Sequence, residues 1–387
     1  METASRLQKL TPSLTLAIDS KAKALKAEGV DVINFGAGEP DFDTPDHIKA
    51  AAMGSLDAGF TKYTPSSGIP ELRSAIAEKL KADNGLDYKP SQIIVNNGAK
   101  HSCFNVILAA LEPEDEVIIP APYWLSYPEM VKIAGGVPII VPTKAENGYK
   151  ITPEEFEAAM SPKTRMIILN SPGNPTGSIY TKEELEALAE IAVSEEILIL
   201  SDEIYEKLIF DGQKHFSIAT ISKEVYNLTF TVNGFSKPYA MTGWRLGYVA
   251  APEWAAKAID SLQSQTTSNP CSFAQKGALA AYKGPQECVT QMVAEYDARR
   301  ALVISLVEKI EKLSYVRPQG AFYILLNVSK TGLTSTQFAE KLLDRQNVAV
   351  VPGIAFGDDE VVRLSYATSR ENIEKGLKRI AEFVASL

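Results

Sequence analysis

Cysteine and histidine are scarce in this sequence. The 387 residues include three of each, far apart along the chain: Cys103, Cys271, Cys288, His47, His101 and His215. No two cysteines are spaced as CxxC and their number is odd, so a dense disulfide framework is excluded and a zinc site is disfavoured. We expect reduced, mostly packed thiols and no bound metal.

Long apolar runs and a targeting segment are also missing. No stretch approaches the roughly 20 apolar residues that a membrane-spanning helix needs. The N-terminal segment METASRLQKLTPS lacks the apolar core of a secretory signal. We therefore expect no membrane association and, with the cysteines reduced, a cytoplasmic location.

An excess of positive charge is absent too. The chain has 48 acidic and 39 basic residues and a formal net charge of −9. This balance disfavours a nucleic-acid or anionic-membrane surface, although it leaves room for a local basic pocket. The composition, with 45% hydrophobic residues and no low-complexity segment, indicates a globular protein. The length of 387 residues is enough for one large domain and a smaller one.

Short segments rich in Ile, Leu and Val alternate with amphipathic segments between about residues 92 and 250. Their continuous apolar character predicts strands covered on both faces, as in a mostly parallel sheet. The predicted strands are 92–96, 116–120, 137–141, 165–170, 196–201, 228–232 and 245–250. Helical patterns separate several of them, for instance 182–195 with Thr181 as its N-cap. The alternation predicts an α/β fold with a seven-stranded sheet.

The pattern changes after about residue 290. A long charged helical segment is followed by isolated strand-like pieces and a final helix, which is typical of an α+β unit. The segment before residue 46 has one strand-like piece, VDVINFG, and we expect it to pack with that unit. We predict a large domain over residues 46–290 and a small domain formed by residues 1–45 and 291–387.

Polar motifs follow four of the predicted strands, and ligands of open α/β sheets bind beyond the carboxyl ends of strands. NGAK (97–100) offers backbone N–H groups to a phosphate at a helix start, or is a simple helix start. SPGNPTG (171–177) is a rigid loop around Asn174, or an ordinary tight turn. DEIY has Asp202 directly after a buried strand, where a carboxylate needs a partner, and Tyr205 one turn later.

The fourth motif contains a lysine in unusual surroundings. Lys237 lies among small, apolar and aromatic residues, eight positions before Arg245. Alone it would be a solvated surface lysine, but an amine at the edge of a dry pocket beside another cation can act as a nucleophile. Pyridoxal phosphate (PLP) uses such a lysine, an acidic partner for its ring nitrogen and a phosphate site, and the strand ends supply all three. Dinucleotide binding is disfavoured, because GAGEPD (36–41) lacks the third glycine of GxGxxG and no P-loop motif occurs.

The sequence resembles the class I/II aminotransferases of the aspartate aminotransferase superfamily, which are fold type I PLP enzymes, and within them the bacterial branch called Iβ or 1b. The likeness runs nearly end to end. It rests on motifs in the family's order: AGEPDFDTP (37–45), TKYTPSSGIPELR (61–73), NNGAK (96–100), APYWLSYPEM (121–130), NSPGNPTG (170–177), SDEIYE (201–206), MTGWRLGY (241–248), PQGAFY (318–323), VVPG (350–353) and VRLSYATS (362–369). The resemblance implies PLP as cofactor and amino acids and 2-oxo acids as substrates.

The resemblance also implies catalytic and cofactor-binding roles, position by position. Lys237 would carry the cofactor in a Schiff base and move a proton, and Asp202 would pair with the ring nitrogen. Tyr205 and Asn174 would bind the 3′-oxygen, and Trp124 would stack on the ring. The phosphate would be held by Gly98, Ala99, Lys100, Ser236 and Arg245. Tyr63 would reach the phosphate of a neighbouring subunit, which implies a homodimer with shared sites.

Further implied roles concern the substrate. Arg363 would bind the α-carboxylate as a bidentate fork, with Trp124 and Asn174 beside it, and Gly38 would close over the substrate. By resemblance to the 1b branch, Lys100 would meet a distal carboxylate with Thr15 near it. The region 264–275, which corresponds to the arginine motif of the other aspartate aminotransferase branch, has no basic residue, so the dependence falls on Lys100. These roles imply transamination of aspartate with 2-oxoglutarate by a ping-pong mechanism, with prephenate as a further acceptor that the sequence leaves open.

Two other functions stay open on the sequence alone. One is an aminotransferase or C–S β-lyase of the same fold that acts on aromatic or small neutral amino acids, against which Lys100 argues. The other is a non-catalytic PLP-binding regulator, which would need an appended DNA-binding domain or a lost lysine.

Overall fold

The structure is a computed structural model that describes residues 3–387. Its thirteen strands are β1 (Ile33–Asn34), β2 (Ile93–Asn96), β3 (Glu116–Ala121), β4 (Val137–Pro142), β5 (Thr164–Asn170), β6 (Leu198–Asp202), β7 (Thr229–Gly234), β8 (Gly247–Ala250), β9 (Ser314–Tyr315), β10 (Tyr323–Asn327), β11 (Val348–Ala349), β12 (Val351–Pro352) and β13 (Val361–Ser365).

Helices precede and separate these strands. The α-helices described are α1 (Ser5–Gln8), α2 (Leu14–Ala27), α3 (Asp46–Asp57), α4 (Pro70–Asn84), α5 (Ala99–Ala110), α6 (Ser126–Ala134), α7 (Pro153–Ala159), α8 (Lys182–Ser194), α9 (Lys223–Leu228), α10 (Glu253–Thr266), α11 (Ser272–Lys283), α12 (Glu287–Val307), α13 (Ser335–Gln346) and α14 (Arg370–Ala385). No helix among residues 3–387 is both long enough and apolar enough to cross a membrane.

The predicted seven-stranded sheet is confirmed, in the order β2-β8-β7-β6-β5-β3-β4. Only β8 is antiparallel to its neighbours, so the other six strands run in one direction. The carboxyl ends of β2, β5, β6 and β7 therefore lie at one edge of the sheet. Because β8 runs the opposite way, its beginning lies at that same edge.

Alternate side chains of the sheet enter two different cores, as strand geometry requires. Ile119, Met166 and Leu200 belong to the core that includes residues of α5 and α6. Their neighbours Ile118 and Ile167 belong to the core that includes residues of α7 and α8. Both faces are thus covered, which accounts for the continuous apolar runs in the sequence.

Local signals set the ends of several elements. Helix α8 starts with the expected N-cap: Thr181 accepts from the Glu184 N–H at 3.3 Å, and Glu184 accepts from the Thr181 N–H at 2.8 Å. The strand predicted at 245–250 starts only at Gly247. Arg245 has a φ of 53°, which is outside the extended region, so it ends a turn instead of starting the strand.

A second sheet, β12-β13-β10-β9, is antiparallel and comes entirely from the last part of the chain. The predicted strand in VDVINFG is present as β1, which pairs in parallel with β11. Helix α2 contributes Ala22 to a core shared with Leu343 and Ala349. The two chain ends therefore pack together. The predicted domain limits stay a prediction, and α12 continues through residue 291.

Arg300 of α12 joins this second part to the loop after β6. It is 2% exposed and donates to both carboxylate oxygens of Asp211, at 2.7 and 2.6 Å, and to Asp297. The hydrogen bonds from Arg300 and Arg317 hold the pKa of Asp211 well below its usual range. Arg300 is thus a buried cation whose charge is balanced by partly exposed carboxylates.

We expect Asp211→Ala to lower the free energy of unfolding by about 2–3 kcal/mol, because it leaves a buried guanidinium without its bidentate partner; partial exposure of Asp211 keeps the loss below that of a fully buried pair. Asp344→Ala, which removes only an exposed partner of Lys21, should cost under about 0.5 kcal/mol. Denaturant unfolding measures both. Since the folded pKa of Asp211 is depressed, the difference from wild type should be full above about pH 5 and shrink as the pH falls below about 4. Equal losses in the two variants would contradict the role given to Arg300.

Candidate functional site

A cavity of about 510 Å³ opens at the carboxyl edge of the large sheet. It is lined by strand-end residues, by the segment before α3 and by β13 of the second sheet. Twelve of the predicted site residues line it: Thr15, Gly38, Ala99, Lys100, Trp124, Asn174, Asp202, Tyr205, Ser236, Lys237, Arg245 and Arg363. Gly98 is not in the lining but lies against Arg245, which is, and Tyr63 does not line the cavity.

Lys237 follows β7 by three residues and has an amine withdrawn from water. Its Nζ donates to the Gly38 carbonyl at 2.5 Å and lies 5.5 Å from the ring centroids of Tyr205 and Phe322. Burial, and next the charge of Arg363, lower the pKa of Lys237 to about 8. A useful fraction of this amine is therefore unprotonated near neutral pH, as a nucleophile or base requires.

Asp202 ends β6 and is 4% exposed. Its Oδ2 accepts from the Tyr127 hydroxyl at 2.7 Å, and its Oδ1 accepts from the Ile204 N–H at 3.2 Å. Burial raises the pKa of Asp202 to about 6, against the lowering effect of these two donors. Within residues 3–387 no basic side chain pairs with it, so the carboxylate can accept a cationic or N–H donor from a ligand.

The start of α5 forms a cradle next to Arg245. Gly98 has a φ of 89°, and a Cβ there would collide with the Arg245 guanidinium. The backbone N–H groups of Ala99 and Lys100 belong to the first helical turn, which has no intrahelical acceptor for them. Arg245 donates to the Thr242 carbonyl at 2.8 Å and has no carboxylate partner among the described residues. Such a helix start beside a guanidinium suits a phosphate.

Arg363 comes from the second sheet and is 2% exposed. It donates to Asn174 Oδ1 at 3.0 Å and to the Gly36 carbonyl at 2.9 Å, while its Nε has no acceptor in the described part of the chain. Burial lowers the pKa of this arginine. Its guanidinium also lies 4.5 Å from the centroid of Tyr323. A buried, incompletely satisfied guanidinium is a strong site for a ligand carboxylate.

Lys100, on α5, and Thr15, on α2, line the same cavity. The Lys100 Nζ lies 5.0 Å from the ring centroid of Trp124, and partial loss of hydration, followed by the charge of Arg245, lowers its pKa. Thr15 Oγ1 is buried and finds no hydrogen-bond partner in residues 3–387. Both groups are available to a polar ligand.

The cavity therefore concentrates charge that the described protein does not neutralise. Lys100, Lys237, Arg245 and Arg363 take part in no ion pair there, and neither do the carboxylates of Asp202 and Glu39. Charges withdrawn from water are costly unless they are paired. The arrangement fits a ligand that carries several negative charges and one protonated nitrogen.

One cluster with metal-ligand spacing occurs among the described residues, outside the cavity lining: Glu203, Glu206 and His215. The Lys79 ammonium contacts Glu206, and His215 Nε2 lies 2.8 Å from Glu203. Each of these two carboxylates thus already has a nitrogen partner within the protein.

Tyr63 is 90% exposed and does not line the cavity. It lies in the segment between α3 and α4, and the position is compatible with a role toward another subunit. That role stays a prediction.

Sequence reasoning assigned no role to Tyr127 or Tyr323, although both lie in the motifs on which the resemblance rests. The Tyr323 hydroxyl is 2.8 Å from that of Tyr205, and a Cβ on Gly38 would lie 3.2 Å from it. Glu39 was missed as well; it lines the cavity and accepts from the Thr242 hydroxyl at 2.9 Å. The motifs that contain these residues were recognised, but the sequence does not show which distant residues they contact.

Comparisons with known proteins identify the relatives of this chain. The aspartate aminotransferase of Bacillus sp. (strain YM-2) is 51% identical over 98% of each chain. The probable aspartate/prephenate aminotransferase of Aquifex aeolicus is 50% identical over 97% of each chain. The structure of the Thermus thermophilus aspartate aminotransferase with maleate superimposes with a TM-score of 0.94, at 46% identity over 99% of each chain. The family model described as aminotransferase class I and II matches residues 30–380, and the chain belongs to that family.

Proposed function

We propose that this chain is a PLP-dependent aspartate aminotransferase, which moves the amino group of aspartate to 2-oxoglutarate by a ping-pong mechanism. The observation that carries the proposal is the buried Lys237 amine in a cavity with three further unpaired cations and a buried, unpaired carboxylate, that of Asp202. The names of the full-length relatives support the same substrate.

The unpaired groups of the cavity fit PLP. Lys237 would bind its carbonyl carbon, Asp202 would accept from its protonated ring nitrogen, and Trp124 would stack on the ring. The start of α5, with Ser236 and Arg245, would hold the phosphate. Tyr205 and Asn174 would donate to the 3′-oxygen. When bound, the cofactor supplies an electron-accepting ring that stabilises negative charge at the substrate Cα.

The protein's own part in the chemistry is proton transfer and orientation. Lys237 Nζ, with a pKa near 8, would take the proton from the substrate Cα and return it on the cofactor side. Arg363, fixed by Asn174 and Gly36, would hold the α-carboxylate so that the Cα proton faces this amine. Gly38, whose carbonyl meets Lys237, would close over the bound substrate.

The preference for an acidic substrate is assigned to Lys100, with Thr15 beside it. Prephenate, which has an additional carboxylate, is a second acceptor that the name of the Aquifex relative favours. An aromatic or small neutral amino acid has no distal carboxylate for Lys100. A half-reaction panel with aspartate, glutamate, alanine, phenylalanine and arogenate, read by cofactor absorbance, tests the substrate class.

Lys237→Ala should abolish turnover but still bind PLP, because the phosphate and ring partners remain. Borohydride reduction of the loaded wild type, followed by peptide mapping, should fix the cofactor to Lys237 and to no other lysine. The matched control is Lys207→Ala, which removes a lysine paired with Asp83 on the surface and should keep normal labelling and turnover. Label on a different peptide would refute the site.

Lys100→Ala should lower kcat/KM for aspartate by about ten- to a hundredfold, since a hydrogen bond to a charged group is worth roughly 1.5–3 kcal/mol. Alanine and phenylalanine should lose much less, and Thr15→Val should give a smaller loss in the same direction as Lys100→Ala. The ratio of the losses is the quantity to measure, because damage to cofactor binding lowers both alike. Equal losses, or a wild type that prefers neutral amino acids, would leave the family assignment intact and remove the dicarboxylate assignment.

We also propose a homodimer in which Tyr63 completes the phosphate site of the neighbouring subunit; its 90% exposed side chain supports this. Mixing inactive Lys237→Ala with impaired Tyr63→Phe should restore part of the activity, because each hybrid then has one site with both residues. Subunit exchange is followed with a mass tag. Exchange without recovery of activity would rule out sharing of the site through Tyr63.

A further inference from the structure

Tyr127, on α6, contacts two groups of the cavity at once. Its hydroxyl donates to Asp202 Oδ2 at 2.7 Å. Its ring meets Trp124 edge-on, with centroids 5.2 Å apart and planes at 87°. The side chain is 2% exposed, so packing fixes both contacts.

In this hydrogen bond the Tyr127 hydroxyl is always the donor and the Asp202 carboxylate is always the acceptor. Burial, and next the charge of Asp202, hold the pKa of Tyr127 well above its usual range, so the phenol keeps its proton. The other side-chain donor near Oδ2 in the described chain is the Cys103 thiol, at 3.9 Å and with a raised pKa. A thiol at that distance is a weak partner.

The remaining groups around Asp202 do not replace this hydrogen bond. Glu203 opposes its ionisation, Lys237 favours it, and the neutral Tyr205 phenol adds no charge. The Ile204 N–H reaches the other oxygen at 3.2 Å. Removal of the Tyr127 hydroxyl would therefore leave a buried carboxylate with one backbone donor and a distant thiol, and its protonated form would gain.

We propose that Tyr127 is a positioning residue that keeps the Asp202 carboxylate ionised and oriented for the ring nitrogen of the cofactor. The ring of Tyr127 would also hold the Trp124 ring in line with the plane of the cofactor ring. The inference rests on the proposed cofactor role of Asp202. Tyr127 itself touches neither cofactor nor substrate in this assignment. It links the group at the edge of the cofactor ring to the group on its face.

The test is binding of pyridoxamine 5′-phosphate to cofactor-free protein as a function of pH. This probe has the ring nitrogen and the phosphate but no carbonyl, so it cannot react covalently with Lys237 and only non-covalent binding is measured. Wild-type affinity should fall as the pH drops through about 6, where Asp202 becomes protonated. In Tyr127→Phe the midpoint should lie about one to two pH units higher, since a hydrogen bond to a charged group is worth roughly one to two decades.

The ratio of dissociation constants, Tyr127→Phe over wild type, should thus be near one at pH 9 and rise to about 10–100 at pH 5.5. The ratio removes the effect of the probe's own ionisation, because wild type and variant bind the same probe at the same pH. Tyr88→Phe is the matched control, because it also removes a buried hydroxyl, here one bonded to Thr231 at 3.2 Å outside the cavity lining. Its ratio should stay near one at every pH. Tyr127→Leu, which also loses the contact with Trp124, should bind the probe more weakly than Tyr127→Phe even at pH 9.

A flat ratio for Tyr127→Phe, or one that follows Tyr88→Phe, would overturn the inference. In an Asp202→Asn background the pH-dependent part of the Tyr127 effect should disappear; if it persists, the hydroxyl acts through another group. Thermal unfolding of the cofactor-free variants shows whether each is folded. Tyr127→Leu lacks the same hydroxyl, so the pH dependence of its ratio to wild type tests the same hydrogen bond if Tyr127→Phe is unstable. Failure of the wild type to bind the probe would refute the proposed function instead.

Discussion

Cationic side chains without acidic partners are the constraint on which this site depends. Arg363 is almost fully buried and finds only an amide oxygen and a carbonyl. Lys237 finds only a carbonyl. Neutral acceptors stabilise a buried charge less than a carboxylate does, so these groups are kept in a state that favours binding of anions. Burial, and next the charge of Arg363, lower the pKa of Lys237 and make its amine reactive.

The topology supplies this concentration of charge. Six strands of the large sheet run one way, and their polar extensions meet at one edge, where loops are free to carry function. The reversed strand β8 brings Arg245 to the same edge from the opposite direction. The second sheet adds Arg363, and the turn that contains Gly38 closes on Lys237. Residues separated by more than 300 positions, such as Gly36 and Arg363, are thereby joined by one hydrogen bond.

The sequence predicted the large sheet and its seven strands well, because buried parallel strands leave continuous apolar runs. Twelve of the fourteen predicted site residues line the cavity. The sequence did not predict the strand order or the reversed direction of β8. It also did not predict contacts between side chains of the site, such as that of Tyr323 with Tyr205. Each depends on which distant segments pack together, and a periodicity records only that a residue is buried, not its partner. Tyr127 illustrates this: its letter stood in a recognised motif, yet its hydrogen bond to Asp202 crosses 75 positions.

Side-chain contacts outside the cavity hold the backbone that carries the unpaired charges. The segment that begins with Asp202 at the end of β6 and includes Tyr205 is held by the contacts of Glu203 with His215 and of Glu206 with Lys79. Farther along, Asp211 takes the bidentate bond of Arg300. These pairs fix the backbone of a segment in which the functional carboxylate, that of Asp202, has no ion-pair partner. A ligand that supplies the missing opposite charges binds the folded state alone, so its binding energy adds to stability. The energetic cost of the unpaired charges and the capacity of the cavity to bind an anionic ligand are therefore two consequences of one arrangement.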